Sequence, residues 1–183
     1  MRSTKLPSPI CNSLEEWLKK KILDPKDLET ALPEIRRDKS LATINGSFDL
    51  LHAGHLYMLF EASKVADILL VLVNSDASVR SYKSKNRPII PLQQRMEMLS
   101  AIAFVDFVSF FDESDPRAIL ERVRPNWHVN GAEYGNNCIE ADTVKKVGAK
   151  LHLVERIPGL ATSAIIDKIL EIGEENACGS FAR

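Results

Sequence analysis

The sequence has little cysteine, little histidine, no long apolar run and no excess of either charge. Its three cysteines, Cys11, Cys138 and Cys178, are widely spaced and form no C-x-x-C pair. That argues against a zinc site or a disulfide framework, and it suits a reducing cytoplasm. The longest apolar run, Ile68-Leu69-Leu70-Val71-Leu72-Val73, is far too short to cross a bilayer. The start, Met1-Arg2-Ser3-Thr4-Lys5-Leu6-Pro7, lacks the apolar centre of a signal peptide. Lys+Arg number 24 against 25 Asp+Glu, so there is no basic field to hold nucleic acid. A cytoplasmic protein with neither a nucleic-acid nor a membrane partner is the expectation. Repeats, low-complexity tracts and dividing linkers are also missing.

What is present is a globular composition, 45% hydrophobic and 27% charged over 183 residues, enough for one core plus a modest extension. Residues 1 to about 12 read as a loose start. Ser13, then Glu15 and Glu16, then Lys19, Lys20 and Lys21 follow the charge order of a helix dipole. A second helix is expected from Asp24 or Pro25 to about Arg37. Beyond it, strands are expected near 41–45, 68–73, 105–110, 127–130 and 150–154, and helices near 54–65, 92–103, 116–123, 139–147 and 162–172. The nearly all-apolar run from Phe104 to Phe111 reads as a strand covered on both faces. This alternation predicts an α/β fold with right-handed crossovers: a Rossmann-like three-layer sandwich on a five-stranded parallel sheet. Residues 1–38 would form an N-terminal helical extension and 39–183 the domain proper. Ligands of such sheets bind beyond the carboxyl ends of the strands. The loops starting at Gly46, Asn74, Asn130 and Arg156 all lie there.

The most informative of these loops runs Gly46-Ser47-Phe48-Asp49-Leu50-Leu51-His52-Ala53-Gly54-His55, between a strand and a helix. A glycine-containing turn at a helix N-terminus gathers backbone N–H donors, which suits phosphate. Two of the chain's four histidines, His52 and His55, fall in it three residues apart. A nucleotidyl transfer places negative charge on the α-phosphate and the departing pyrophosphate. Imidazole donors beside a helix N-terminus would neutralise that charge and hold the reacting groups in line. The plainer alternative is a capping turn with two incidental histidines; a metal pair is weaker still, since no further cysteine or carboxylate ligand has recognisable spacing.

Gly46-Ser47-Phe48-Asp49 followed by His52-Ala53-Gly54-His55 resembles the G-x-F-D-x-x-H-x-G-H signature of the cytidylyltransferase-like nucleotidyltransferases. The resemblance continues through Val73-Asn74-Ser75-Asp76, Lys83 to Pro91, Gln94-Arg95, Val129-Asn130-Gly131-Ala132-Glu133-Tyr134 and Gly159-Leu160-Ala161-Thr162-Ser163. It covers about residues 40 to 170 and is nearest to the adenylyltransferase domain of bacterial ADP-heptose synthases. It implies transfer of a nucleotidyl group from ATP or CTP to a small phosphorylated acceptor, with release of pyrophosphate.

On that resemblance, His52, His55, Lys83 and Arg156 are the catalytic candidates. Gly46, Ser47, Phe48, Gly54, Asn130, Gly131, Glu133, Leu160, Thr162 and Ser163 would bind the nucleotide, and Asn74 and Asp76 would lie near the acceptor. Read alone, Lys83, Lys85 and Arg87 are an ordinary solvated basic loop, and Thr162 and Ser163 are ordinary helix N-cap residues. Arg95 reads equally as a salt-bridge or subunit-contact residue and as a site residue. Glycine at 131 would allow a ligand close to the backbone. Asp49 reads as a turn residue accepting backbone N–H bonds. No protein metal site is expected; Mg²⁺ would be carried by the triphosphate and water.

The chain departs from its heptose-pathway relatives at Asn130 (usually lysine), Glu133 (usually aspartate) and Ala161 (usually serine). Arg156 is closer to the cytidylyltransferases. A heptose 1-phosphate adenylyltransferase-like enzyme is therefore expected first. A cytidylyltransferase for glycerol 3-phosphate or a related alcohol phosphate, an FMN adenylyltransferase, and a non-catalytic nucleotide sensor stay open in that order. A homodimer is implied by the resemblance.

Overall fold

In the computed structural model, which describes residues 13–179, β1 (Leu41–Gly46), β2 (Ile68–Asn74), β3 (Phe107–Phe111), β4 (Trp127–Gly131) and β5 (Lys150–Val154) form one sheet in the order β3-β2-β1-β4-β5. Every pairing is parallel. The expected loose start and Cys11 lie outside the described residues.

β2 is buried along its whole length, as a strand covered on both faces must be. Alternate side chains part to opposite faces. Leu69, Val71 and Val73 join Ala42, Ile44, Leu59, Ala62, Met96 and Leu99 on one face. Ile68, Leu70 and Leu72 join Leu28, Leu32, Leu41, Leu120 and Val123 on the other. Each leucine, isoleucine, valine or methionine among them contributes about 1.5–3 kcal/mol on burial.

The first face is covered by α3 (Ala53–Lys64) and α5 (Leu92–Ser100), and the second by α2 (Leu28–Arg36), α6 (Arg117–Val123) and α7 (Ala141–Lys146). The three layers of the expected Rossmann-like sandwich are therefore present.

The N-terminal part begins with α1 (Leu14–Lys19), whose Ser13 side chain accepts from the Glu16 N–H at 3.2 Å. The second expected helix is a 3-10 turn over Pro25–Asp27 leading into α2. Between them the chain lays a one-residue parallel bridge, Ile22 to Val108, on the outer edge of β3. Leu23 N–H donates to Val108 C=O and Val108 N–H to Lys21 C=O, both at 2.8 Å. That satisfies part of an otherwise open sheet edge.

Three expectations need adjustment. The apolar run from Phe104 becomes a strand only at Phe107; Val105 is fully buried in the preceding turn. A seven-residue helix, α4 (Asp76–Tyr82), stands where the loop starting at Asn74 was expected. Ser75 caps it by accepting from Ser78 N–H at 3.2 Å. The last helix, α8 (Thr162–Gly179), runs well past 172.

The sheet order reverses between β1, which leads outward to β2 and β3, and β4, which starts the other half. The crevice at such a reversal is where α/β sheets receive ligands. The loops after β1 and β4 open there.

Candidate active site

The histidine loop takes its shape from packing. Phe48 is 4% exposed and adopts a φ of 44°, a conformation that non-glycine residues rarely hold. Its ring lies over Gly46, where a Cβ would meet it at 3.2 Å. Phe48 is thus part of the loop's floor. At Gly54 a Cβ would come within 3.0 Å of both the His52 ring and Leu160 Cβ. Glycine there lets the loop after β5 press against the start of α3.

His52 is the N-cap of α3, and its Nδ1 accepts from Gly54 N–H at 3.1 Å. In the neutral ring that leaves the proton on Nε2. The His55 ring stacks on His52 with centroids 3.9 Å apart and meets Phe48 on another side at 5.5 Å. His55 Nδ1 is buried without a hydrogen-bond partner.

Burial first, then the charge of Arg156, lowers the pKa of His52. Burial, then His52, Arg156 and Lys83, lowers that of His55 to about 4. Both rings are therefore neutral near pH 7, in a field that favours an anion. The N-terminus of α3 adds about half a positive charge at the same point.

Lys83, the C-cap of α4, donates from Nζ to Ser47 Oγ at 2.9 Å. Burial and then Arg87 lower its pKa, against a smaller opposing effect of Asp49. Arg156 leaves β5 to pair with Glu133 at 3.0 Å, its side chain 56% exposed. The loop then turns through Gly159, Leu160 and Ala161 beside His52, lining a cavity of about 370 Å³ with α8 residues. Thr162 and Ser163 open α8 immediately after this stretch, but neither side chain lines the cavity, whose α8 wall is Ala164, Ile165, Lys168 and Ile169. Five segments distant in sequence thus converge: 46–55, 83, 133, 156 and 159–161.

Other residues read from sequence are engaged within the fold. Asn74 is 4% exposed and its amide donates to Ser78 Oγ at 3.0 Å. Asp76 Oδ1 accepts from Arg95 Nη2 at 2.8 Å and from Leu92 N–H at 2.9 Å. Asn130 turns both ends of its amide inward. Nδ2 donates to Glu140 Oε1 in a short contact, and Oδ1 accepts from Gly131 N–H at 2.8 Å. The space over Gly131 is filled by the Glu133 carboxylate, which a Cβ would meet at 2.1 Å. This glycine makes room for a side chain of its own loop, a different reason from the close ligand approach read in sequence.

Asp49 accepts backbone N–H bonds as a turn residue does, but from residues 40 and 41 positions away. Its carboxylate takes Ile89 N–H and Ile90 N–H at 2.8 Å and Arg87 Nε at 2.6 Å. Burial pushes its pKa up, but the Ile90 and Ile89 amides and Arg87 together outweigh this and hold the carboxyl below its usual range.

Arg95, readable in two ways, is fully buried. It donates to Ser47 C=O, to Ile90 C=O and Asn74 C=O at 2.9 Å each, and to Asp76. It ties together the loops that leave β1 and β2. Glu140 and His128 were not singled out in the sequence. A buried carboxylate beside a buried imidazole has no signature at a spacing of twelve.

Among the described residues no group of three or more His, Cys, Asp or Glu is arranged to hold a metal, and no helix is long and apolar enough to cross a membrane.

Residues 43–173 match the family model described as cytidylyltransferase-like. The chain is 37% identical over 143 residues to the bifunctional protein HldE of Syntrophotalea carbinolica, covering 78% of this chain and 29% of that one. It is 44% identical over 135 residues to the protein of the same name from Campylobacter curvus, covering 73% and 28%. It therefore spans less than a third of the length of these relatives. Among solved structures it resembles the lipopolysaccharide core biosynthesis protein from Thermoplasma volcanium, with a TM-score of 0.54 and 27% identity over 65% of this chain and 97% of that one. It shares a fold with the pantoate-beta-alanine ligase of Francisella tularensis, at a TM-score of 0.57 and 16% identity over 75% and 68%.

Proposed function

The chain belongs to the cytidylyltransferase-like family, and from that premise we propose that it transfers a nucleotidyl group from a nucleoside triphosphate to a small phosphorylated acceptor. One observation carries the reading: two stacked neutral imidazoles at a helix N-terminus, with a lysine and an arginine close by, at the reversal point of a parallel sheet.

A phosphate oxygen of the acceptor attacks the α-phosphorus, a new P–O bond forms, and the bond to pyrophosphate breaks. The attack is direct, with no covalent enzyme intermediate and so no activated serine or cysteine. His52, with its proton on Nε2, donates to the α-phosphate oxygen or the bridging oxygen as charge builds there, and His55 supports it from behind. Lys83 and Arg156 hold the triphosphate. Thr162, Ser163 and the free N–H groups of α8 receive the β- and γ-phosphates. Gly46, Ser47, Phe48 and Gly54 shape the phosphate cradle, Leu160 packs against it, and the segment from Asn130 through Gly131 to Glu133 faces the nucleoside. Asn74 and Asp76 serve the acceptor side through the loop they frame with Arg95.

A bound triphosphate would bring Mg²⁺ with it, and the ion would supply neutralisation of phosphate charge. The carboxylates around the site fit no direct part in holding it. Asp49 is tied to Arg87, Ile89 and Ile90, Asp76 to Arg95 and Leu92, and Glu133 to Arg156.

The best acceptor is a heptose 1-phosphate with ATP, because the relatives at 37–44% identity are the HldE proteins and the sequence resembles the adenylyltransferase domain of ADP-heptose synthases. A second reading, CTP with glycerol 3-phosphate or a similar alcohol phosphate, is favoured by one observation, Arg156 in the phosphate cluster. The same proposal includes a cytoplasmic setting, where nucleoside triphosphates are supplied. It also includes a homodimer, supported by Ile169 and Leu170 on α8, 58% and 60% exposed.

Pyrophosphate release measured with ATP and CTP across sugar 1-phosphates and polyol phosphates tests the reading. Saturable release with one pair supports it. Tight nucleotide binding without release from any pair favours a sensor instead. Sedimentation of the purified protein as a monomer at all concentrations would remove the dimer.

A further inference from the structure

Beneath the Asn130–Tyr134 segment lies a polar chain that the phosphate chemistry does not use. Thr43, His128 and Glu140 are 0%, 0% and 3% exposed. Thr43 and His128 are cross-strand partners on β1 and β4, and Thr43 Oγ1 lies 2.9 Å from His128 Nδ1. The other ring nitrogen, Nε2, has no hydrogen-bond partner, and Glu140 Oε1 is 3.6 Å away. That same oxygen accepts the Asn130 amide, whose other end accepts Gly131 N–H.

A carboxylate taken out of water is tolerated only where it is paired and hydrogen-bonded. Two partners of Glu140, His128 and Asn130, lie on β4, the strand that ends at the site, and the Cys138 thiol stands beside it as well. Burial pushes its pKa up, but His128, its own backbone N–H and the Cys138 thiol together outweigh this and hold it below its usual range. The alignment continues outward: Gly131 has no Cβ because the Glu133 carboxylate occupies that space, and Glu133 pairs with Arg156. A single line of contacts therefore runs from the sheet interior, through Glu140 and Asn130, to an arginine of the phosphate cluster.

We infer that Glu140, seated on His128, is a positioning residue that fixes the Asn130 amide and so sets the shape of the segment facing the nucleoside. The inference rests on the nucleotidyltransferase reading above. It assigns Glu140 no contact with ligand. It explains how Asn130 shapes the site while both ends of its amide point inward. Loss of the carboxylate frees the amide to rotate and relaxes Gly131 and Glu133 with it. The deficit then falls on nucleotide affinity and leaves the acceptor and the chemical step largely alone.

The test is a double-mutant cycle on the full chain, reading the Kd for ATP and for CTP by calorimetry and KM and kcat by pyrophosphate release. Glu140→Ala should weaken nucleotide binding about tenfold, the loss of one charge-assisted hydrogen bond, with KM for the acceptor changed less than about twofold. Asn130→Ala should do the same, and the double variant should be no worse than either single one, because coupled residues are not additive. Glu140→Gln keeps an oxygen for the Asn130 amide and should recover most of the affinity. Should the alanine variant not fold, Glu140→Asp keeps the charge on a shorter arm and carries the same expectation.

Additive losses, or equal losses in nucleotide and acceptor KM, would overturn the inference. Because the calorimetric Kd reports on the segment without turnover, a wild type that binds nucleotide but releases no pyrophosphate refutes the enzyme reading and not this one.

Discussion

Replacing Asp49 by alanine should destabilise the protein more than any other single change in the histidine loop. Its side chain is fully buried and accepts from Ile89 N–H, Ile90 N–H and Arg87 Nε. Alanine leaves all three donors without that acceptor. Removing one partner of a buried charge pair costs about 3–5 kcal/mol. Arg87 is only 18% exposed, so it escapes to water in part and the cost sits toward the lower end. With roughly 2–4 °C of melting temperature per kcal/mol for a chain of this size, the variant should melt about 10 °C below wild type.

Asp49→Asn keeps an oxygen for the amides but sets an NH₂ or a neutral oxygen against Arg87, and should lose about half as much. Differential scanning calorimetry at pH 7 measures both. An alanine variant melting within about 2 °C of wild type would refute the reasoning, because the carboxylate would then not be the anchor that joins the histidine loop to the segment after Lys83.

Other changes probe the site more locally. His52→Ala should cut turnover roughly a hundredfold or more, as expected for a lost transition-state donor. Losing the cap lowers stability by only about 1 kcal/mol, so near-normal turnover in a folded variant would remove the assigned role. Gly54→Ala puts a methyl group 3.0 Å from the His52 ring and from Leu160. It should lower kcat/KM more than it lowers melting temperature, and equal activity would show that the loop after β5 is not pressed against α3. The pH dependence of stability follows from His55, whose pKa falls from 6.5 to about 4 on folding. The unfolded chain takes up the proton first, so this contribution is complete above pH 6.5 and is lost as pH falls toward 4. The loss is on the order of 3 kcal/mol, and His55→Gln should flatten that part of a urea-denaturation series.

Much of this was readable from residue order alone. Ile68 to Val73 had to be a doubly covered strand, and a helix had to follow the histidine loop. The strand–loop–helix rhythm then placed the loops after β1, β2, β4 and β5 at one edge. Helix α4 was not legible, because its seven residues include two serines and a valine, poor helix formers. Ser75 followed by Asp76 was the one available hint. The tie between Arg95 and Ser47, Asn74 and Asp76 spans 19 to 48 positions, and no spacing rule reaches so far. The same holds for Asp49 with Arg87, and for Glu140 with His128. Phe48 showed its motif but not its conformation, since its positive φ is imposed by packing against Gly46 and His55.

A crystal structure with a non-hydrolysable nucleoside triphosphate analogue would test the whole account at its centre. The α-phosphate should lie within hydrogen-bond reach, about 3 Å, of His52 Nε2, with Lys83 and Arg156 on the outer phosphates and both imidazoles still stacked. Phosphates bound away from the start of α3, with His52 Nε2 facing no ligand atom, would contradict it.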